Sequence, residues 1–179
     1  MNQFSMPEDE QITMLAEALV SELLTAGKTV ATAESCTGGW IAKSITDIPG
    51  SSQCFSYGIV SYSNAAKVSV LDVNPLTLAA CGAVSEETVC EMAEGVLDLS
   101  GADLAVAVSG VAGPDGGSDD KPVGTVWFGW SARHNGQIET DSLRRQLTGD
   151  REGVRSSSVI IALQELRQRL GRFSDRERA

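Results

Sequence analysis

The sequence predicts a single-domain α/β fold, an α/β/α sandwich in which helices cover both faces of a mixed β-sheet. Three observations predict it. Amphipathic helical segments alternate with short runs of β-branched and small apolar residues, as in parallel strands joined by helices. The run at 103–109 is too uniformly apolar for a half-exposed strand and therefore belongs at the centre of the sheet. An Asn-Gly pair at 135–136 predicts a hairpin, which makes the sheet mixed.

The chain of 179 residues has the size of one domain, and neither a repeat nor a linker divides it. We expect residues 1–179 to form this one domain, with a core over about 10–170 and a frayed tail at 171–179.

The first half of the chain alternates helix and strand. Ser5 and Glu8 form a capping box that starts a helix, and its apolar residues recur at helical spacing until Gly27. The elements that follow are a strand at 29–33, a helix at 38–46, a strand at 55–62 and a helix at 64–71.

The second half continues the alternation and ends in the hairpin. A short helical turn at 75–80 precedes Gly82, and Ser85 caps a helix that runs to Leu99. The remaining elements are the central strand at 103–109, a glycine-rich loop at 110–124, hairpin strands at 123–130 and 137–147, and a closing helix at about 150–170.

Charge and hydropathy exclude two classes of partner. The net charge is -10 and no stripe of Lys or Arg is present, so a nucleic-acid backbone would be repelled. No apolar run approaches the ~20 residues that span a bilayer, and the first residues lack the pattern of a signal peptide. We expect a cytoplasmic protein without a membrane or nucleic-acid partner.

The cysteine and histidine content limits the available chemistry. Four cysteines match neither a redox pair nor a zinc pattern, which favours free thiols in a reducing compartment. The only histidine, His134, lies beside the hairpin turn, so a Ser-His-Asp triad has little to be built from. Glu34 and Asp115 alone make a weak metal site, and we expect no metal or organic cofactor.

A candidate nucleophile lies where the first strand meets its helix. Ser35 comes one residue after the predicted strand, before a helix whose first amides, at Thr37, Gly38 and Gly39, are expected to be free and electropositive. A developing oxyanion would be stabilised there. The alternative is that Ser35 or Thr37 is merely the helix cap, and Cys36 is a rival nucleophile.

A serine hydroxyl needs a base to become an effective nucleophile. Tyr62 ends the predicted strand at 55–62 and Lys67 follows it. That strand can lie beside the strand at 29–33, so both residues can reach the same sheet edge as Ser35. A desolvated lysine has a lowered pKa and can act as a base. A solvated helix residue is the alternative for Lys67.

Two further segments suggest a binding site. The loop that begins at Ser109 lacks the Walker and Rossmann glycine patterns, yet a long irregular loop inside a compact domain is more often functional than idle. Arg151 and Arg155 lie one turn apart at the start of the last helix, where they can bind an anion. A surface ion pair with Asp150 or Glu152 explains them equally well.

Five ordered motifs over about residues 10–170 together resemble the C-terminal domain family of the competence/damage-inducible protein CinA. The motifs are AESCTGG at 33–39, YSNAAK at 62–67, GAVS at 82–85, SGVAGP at 109–114 and KPVGTV at 121–126. The resemblance implies an amidohydrolase that converts nicotinamide mononucleotide to nicotinic acid mononucleotide and ammonia, without a cofactor.

The resemblance also implies roles for individual residues. Ser35 corresponds to the nucleophile, Tyr62 and Lys67 to the pair that activates it, and Arg151 to a substrate-binding arginine. The remaining positions expected to contact the substrate are Thr37, Gly38, Gly39, Ser109, Gly110 and Gly113. Because residues 115–120 are acidic, we expect the substrate phosphate near Arg151 and the helix termini.

Two alternatives remain open from the sequence. The same pocket can belong to a non-catalytic nucleotide-binding module or to a partner module related to competence or DNA damage, and it can also serve another small anionic substrate. Trp127, Phe128 and Trp130 alternate along a hairpin strand and can cover the core on one face and a subunit on the other. On that basis we expect a homodimer, although core packing explains them equally well.

Overall fold

The fold is that of a computed structural model, which describes residues 8–134 and 136–177, with side chains as far as residue 172. Ser5, the expected capping residue, and Asn135, the expected turn residue, lie outside the described residues.

One five-stranded mixed sheet forms the middle layer, in the order β2-β1-β3-β4-β5. The strands are β1 Val30–Glu34, β2 Phe55–Val60, β3 Leu104–Gly110, β4 Thr125–His134 and β5 Gln137–Gln146. β1 is parallel to both β2 and β3, whereas β4 is antiparallel to β3 and to β5. The predictions of a mixed sheet, a central third strand and a final hairpin are therefore confirmed.

Helices cover both faces of the sheet. They are α1 Glu8–Ala26, α2 Trp40–Thr46, α3 Asn64–Leu71, α4 Pro75–Cys81, α5 Glu86–Ser100 and α6 Arg151–Glu177. α1, α2 and α6 pack on one face, and α3, α4 and α5 pack on the other. The predicted α/β/α sandwich is confirmed.

The alternation of side chains along β3 explains the two layers. Val106 and Val108 point into the core beneath α1, α2 and α6, whereas Ala105 and Ala107 point towards α5. Small residues on the second face let α5 approach the sheet closely. At Gly129 of β4, a Cβ atom would lie only 2.4 Å from the carbonyl oxygen of Val89 in α5.

Three predicted boundaries are clearly wrong. The first hairpin strand, predicted at 123–130, runs from Thr125 to His134. The closing helix continues to Glu177 instead of ending near residue 170, because Gly171 is followed by Arg and Glu, which favour helix, and by no proline. The strand predicted at 55–62 ends at Val60, so Tyr62 lies in a loop. The next helix begins at Asn64 as predicted, and the Ser63 hydroxyl caps it by accepting from the Ala66 amide.

The aromatic residues of β4 pack against other parts of the same chain. Phe128 and Trp130 are buried on the α6 side with their rings stacked, and the Arg169 guanidinium lies 3.8 Å from the centre of the Trp130 ring. Trp127 is half-buried against the α5 layer. Core packing accounts for all three residues, so they no longer argue for a subunit contact.

None of the helices in the described part of the chain combines the length and the apolar character that a bilayer crossing requires.

Candidate active site

The candidate site lies at the carboxyl ends of the parallel strands. Ser35 follows β1 directly, and its amide donates to the Val108 carbonyl of β3 at 2.9 Å. On the other side of β1, the Ser61 amide donates to the Glu34 carbonyl at 2.9 Å. The residues that follow β1, β2 and β3 therefore meet at one sheet edge, which is where open α/β sheets bind their ligands.

Ser35 and Lys67 are in direct contact at this edge. The Nζ atom of Lys67 lies 3.1 Å from the Ser35 Oγ atom and 2.7 Å from the Ser61 carbonyl oxygen. Lys67 is only 1% exposed, and Ser35 is also buried. The prediction that these two side chains share one edge is confirmed, and the alternative of a solvated Lys67 is wrong.

The environment of Lys67 favours the neutral amine. Burial lowers the pKa of Lys67 from its ordinary value of 10.5, and the charge that Cys36 can carry offsets this only in part. The cause is that a buried ammonium loses its hydration, and the Ser35 hydroxyl and Ser61 carbonyl that bind Lys67 carry no charge to compensate.

The other three lysines, all of them in the described part of the chain, are engaged elsewhere. Lys28 forms an ion pair with Asp103, and Lys43 forms one with Asp47 on the exposed face of α2. Lys121 donates to the Cys81 carbonyl at 2.6 Å. Lys67 is thus the lysine that contacts Ser35.

Glu34 caps α2 from inside the protein. Its carboxylate is fully buried and accepts from the amides of Gly39, Ile41 and Ala42 at 3.0, 3.1 and 2.8 Å. The residue before α2 is Gly39, in the left-handed conformation and without a side-chain cap of its own. The interpretation of Ser35 or Thr37 as the helix cap is therefore wrong.

The amides expected to be free at this turn are partly occupied. The Gly39 amide donates to Glu34, and the Gly38 amide donates to the Ser35 carbonyl at 3.1 Å, which closes a tight turn. A buried N–H group without an acceptor is costly, and the carboxylate at position 34 is the nearest strong acceptor. The expectation of free amides at Gly38 and Gly39 is wrong. Thr37 is fully buried.

Cys36 is not a competing nucleophile. Burial raises the pKa of its thiol to about 12, and the nearby Glu34 charge contributes in the same direction. The thiolate, which is the reactive form of cysteine, is therefore scarce at neutral pH.

Tyr62 and Arg151 meet at the outer side of the site. The Arg151 guanidinium donates to the Gly113 carbonyl at 2.8 Å and to the Tyr62 hydroxyl at 3.2 Å. Both side chains are exposed. The direct contact between Lys67 and Ser35 leaves no room for the Tyr62 hydroxyl between them. Arg151 thus joins the loop after β3 to the loop after β2.

Arg155 lies one helical turn further along α6 and contacts the turn that carries Ser35 instead of the opening of the site. Its Nε and Nη2 atoms donate to the carbonyl oxygens of Cys36 and Thr37 at 3.1 and 2.9 Å. Its guanidinium also lies 5.4 Å from the centre of the Trp40 ring. Spacing alone did not distinguish the two arginines, and only the resemblance favoured Arg151. In the structure Arg155 binds the serine turn, whereas Arg151 faces the opening.

The contacts of Ser109 and Gly110 indicate structural roles for both residues. The Ser109 hydroxyl donates to the Ala83 carbonyl at 2.7 Å, which ties β3 to the segment before α5. At Gly110 a Cβ atom would lie 2.8 Å from the Thr125 carbonyl oxygen, so glycine is required by the close approach of β4. Gly113 contributes its carbonyl to Arg151.

Comparison with known proteins places this arrangement in a family. The profile of the CinA C-terminal domain matches residues 12–170. The chain belongs to the CinA C-terminal domain family. The resemblance inferred from the five motifs is therefore confirmed.

Members of the CinA C-terminal domain family with curated names include close relatives. A protein of Escherichia coli K12 named nicotinamide-nucleotide amidohydrolase PncC is 51% identical over 160 residues, which cover 89% of this chain and 95% of the relative. A protein of the same name from Pseudomonas putida is 52% identical over 159 residues, which cover 89% and 97%.

A solved structure supports the same family assignment. The competence/damage-inducible protein CihA from Agrobacterium tumefaciens superimposes with a TM-score of 0.83 at 42% identity, over 96% of this chain and 99% of that chain. The family and the fold thus agree between the sequence and structure comparisons.

Proposed function

We propose that this protein is a nicotinamide-nucleotide amidase, a serine amidohydrolase that converts nicotinamide mononucleotide to nicotinic acid mononucleotide and ammonia. The observation that carries the proposal is the buried Lys67 amine 3.1 Å from the Ser35 hydroxyl. The names of the relatives, at 51–52% identity over 89% of the chain, supply the substrate.

The first half of the reaction forms an acyl-enzyme. Lys67 Nζ donates to the Ser61 carbonyl and lies 3.1 Å from Ser35 Oγ, and in the neutral amine the lone pair can turn to accept the Ser35 hydroxyl proton. Lys67 takes that proton while Ser35 Oγ bonds to the carboxamide carbon. The tetrahedral intermediate then collapses as Lys67 returns the proton to the departing nitrogen, and ammonia leaves.

The second half releases the acid. Lys67 takes a proton from a water molecule, whose oxygen attacks the ester carbon. The bond to Ser35 Oγ breaks, and the proton returns from Lys67 to the serine. Lys67 therefore acts first as a base and then as an acid in each half of the reaction.

Charge that develops on the carbonyl oxygen needs a donor or a cation. The ammonium formed on Lys67 lies beside the reacting carbon, and its field is strong because the site is buried. The Gly38 and Gly39 amides have intramolecular acceptors, and Thr37, the third group of the expected oxyanion site, is fully buried with its amide bonded to the Cys36 sulfur, so we assign the stabilising charge to the Lys67 ammonium.

Arg151 is the proposed phosphate ligand. Its exposed guanidinium is oriented by the Gly113 carbonyl and the Tyr62 hydroxyl, and a guanidinium binds phosphate oxygens through charge-assisted hydrogen bonds. The acidic residues at 115–120 are exposed and would repel a phosphate, which also favours the Arg151 side of the opening.

Ammonia release from nicotinamide mononucleotide tests the proposal. We expect turnover by the wild type and a loss of at least about 10³-fold in kcat for Ser35→Ala and Lys67→Met, because each removes one half of a catalytic pair. Lys43→Met is the matched control, since that lysine is exposed and pairs with Asp47. Folded Ser35→Ala with normal turnover, or binding without ammonia release by the wild type, would contradict the proposal. The second result would favour a non-catalytic module.

We also propose a homodimer formed through β2. This edge strand and the loop after it, residues 55–62, carry no charged residue, and Tyr57, Val60 and Tyr62 are exposed. The opposite edge, β5, carries four charged residues of the kind that prevent edge-to-edge pairing. In a protein of net charge -10, an uncharged edge is where two copies can approach. Light scattering measures the oligomeric state, and we expect a wild-type dimer that Val60→Lys weakens. A wild-type protein that is a monomer and that Val60→Lys leaves unchanged would contradict the proposal.

We also propose that the enzyme acts in the reducing cytoplasm. Its support is that Cys36, Cys54, Cys81 and Cys90 are free thiols, whereas disulfides persist in oxidising compartments. Alkylation in intact cells followed by denaturation should find four thiols and no disulfide.

A further inference from the structure

We infer that Arg155 is a positioning residue for the nucleophile: its guanidinium holds the turn that carries Ser35, so that the hydroxyl stays on the Lys67 amine. The inference rests on the proposed amidohydrolase function and assigns a role to a residue outside the reacting groups. Its basis is a set of contacts between α6 and the turn at residues 35–38.

Arg155 binds two successive peptide units of this turn. Its Nε donates to the Cys36 carbonyl at 3.1 Å and its Nη2 to the Thr37 carbonyl at 2.9 Å. The guanidinium is planar and its donors have fixed directions, so two such bonds set the orientation of both carbonyls at once. A lysine ammonium in the same place would attract the oxygens without fixing their directions.

The position of the turn on its other side is already fixed. The Ser35 amide is bonded to β3, and the Glu34 carboxylate binds the first amides of α2. The turn itself is closed by a bond from the Gly38 amide to the Ser35 carbonyl, and the Trp40 amide donates to the Thr37 carbonyl at 3.3 Å. Arg155 therefore supplies the bonds from α6 to the carbonyls in the middle of the turn, directly after the nucleophile.

The guanidinium is itself held in place. It lies over the Trp40 ring, at the first residue of α2, and it is half-buried. Gly38 lies against it: a Cβ atom there would be 3.4 Å from Nη2, and the positive φ of 64° also favours glycine. A cation stacked on an aromatic ring and bonded to two carbonyls is rigid enough to position its neighbours.

Arg151 and Arg155 consequently have separable roles on the same helix. Arg151 reaches the opening of the site, where its partners are Gly113 and Tyr62. Arg155 reaches the back of the serine turn. Loss of the first should weaken substrate binding and raise KM, whereas loss of the second should displace the nucleophile and lower kcat.

Kinetics of Arg155→Ala and Arg155→Lys test the inference, with Arg151→Ala as the matched control. We expect kcat for ammonia release to fall about 10²-fold in both Arg155 variants with KM changed by less than about 3-fold, since a displacement near 1 Å can cost that much. Added guanidinium chloride at low millimolar concentration should restore at least about a tenth of the lost kcat in Arg155→Ala. It should restore none in Ser35→Ala.

A second measurement does not depend on the substrate. The rate at which a fluorophosphonate labels Ser35 should fall in the Arg155 variants and recover with guanidinium. If wild-type protein is labelled but releases no ammonia, the proposed function fails while this inference is still tested. Unchanged labelling in a folded Arg155→Ala would overturn the positioning role. A loss of labelling that parallels a lower melting temperature and is not restored by guanidinium would overturn it as well.

Discussion

Ser35 and Lys67 are 32 positions apart in the chain, yet the Oγ atom of one lies 3.1 Å from the Nζ atom of the other. The topology accounts for the distance. Ser35 follows β1, Lys67 lies in the helix that follows β2, and these parallel neighbours end at the same sheet edge. A lysine carried to this edge by its helix is buried, and burial gives its amine the lowered pKa that a base requires.

The pH dependence of the reaction should report Lys67. Burial lowers its pKa below 10.5, and the active form is the neutral amine, so kcat/KM should rise with pH through a single inflection below that value. The sign follows from the protonation state: at lower pH the ammonium has no lone pair for the serine proton. Initial rates between pH 5 and 10 measure it, and a profile that falls across this range would contradict a lysine base.

Arg151→Ala should weaken substrate binding selectively. A charged hydrogen bond to phosphate contributes about 1.5–3 kcal/mol, so KM should rise about 10- to 150-fold with kcat little changed. Nicotinamide riboside, which lacks the phosphate, provides the comparison. The variant should lose most of the wild-type preference for the phosphorylated substrate, and a preference that survives would assign the phosphate elsewhere.

Tyr62→Phe distinguishes a proton relay from a positioning contact. The Tyr62 hydroxyl accepts from Arg151, and Lys67 contacts Ser35 without an intermediary. The variant should therefore keep kcat within about 10-fold of the wild type and show its effect in KM, whereas loss of a general acid or base costs about 10² to 10⁴ in rate. A drop in kcat of that size at constant KM would assign proton transfer to the phenol.

The sequence predicted the fold well because its strongest signals are local and periodic. Apolar spacing, the capping Ser85 and the Asn-Gly pair each determine an element without reference to the rest of the chain, and β3 was recognisable as central from its composition. The end of α6 was missed because a lone Gly171 interrupts a helix without ending it.

The site could be predicted only in part. Ser35 and Lys67 were found because chemistry demands a base and parallel strands bring their ends together. The partners of Glu34 and Arg155 could not be read, since they are backbone groups whose directions exist only once the turn has formed. One signal for Glu34 was present: an acidic residue at the end of a buried strand, a few residues before a helix start, needs donors, and the helix amides can supply them.

Glu34→Gln should destabilise the protein strongly. Glutamine has the same shape, but it offers one oxygen acceptor where the carboxylate offers two, and its NH₂ group would face the amides that Glu34 now binds. Because hydrogen bonds to a charged group contribute about 1.5–3 kcal/mol and a buried N–H without an acceptor is costly, the free energy of unfolding should fall by at least about 2 kcal/mol. Urea denaturation measures the change, and Glu17→Gln on the exposed face of α1 is the matched control. If the two variants unfold at the same urea concentration, the buried carboxylate does not stabilise the start of α2.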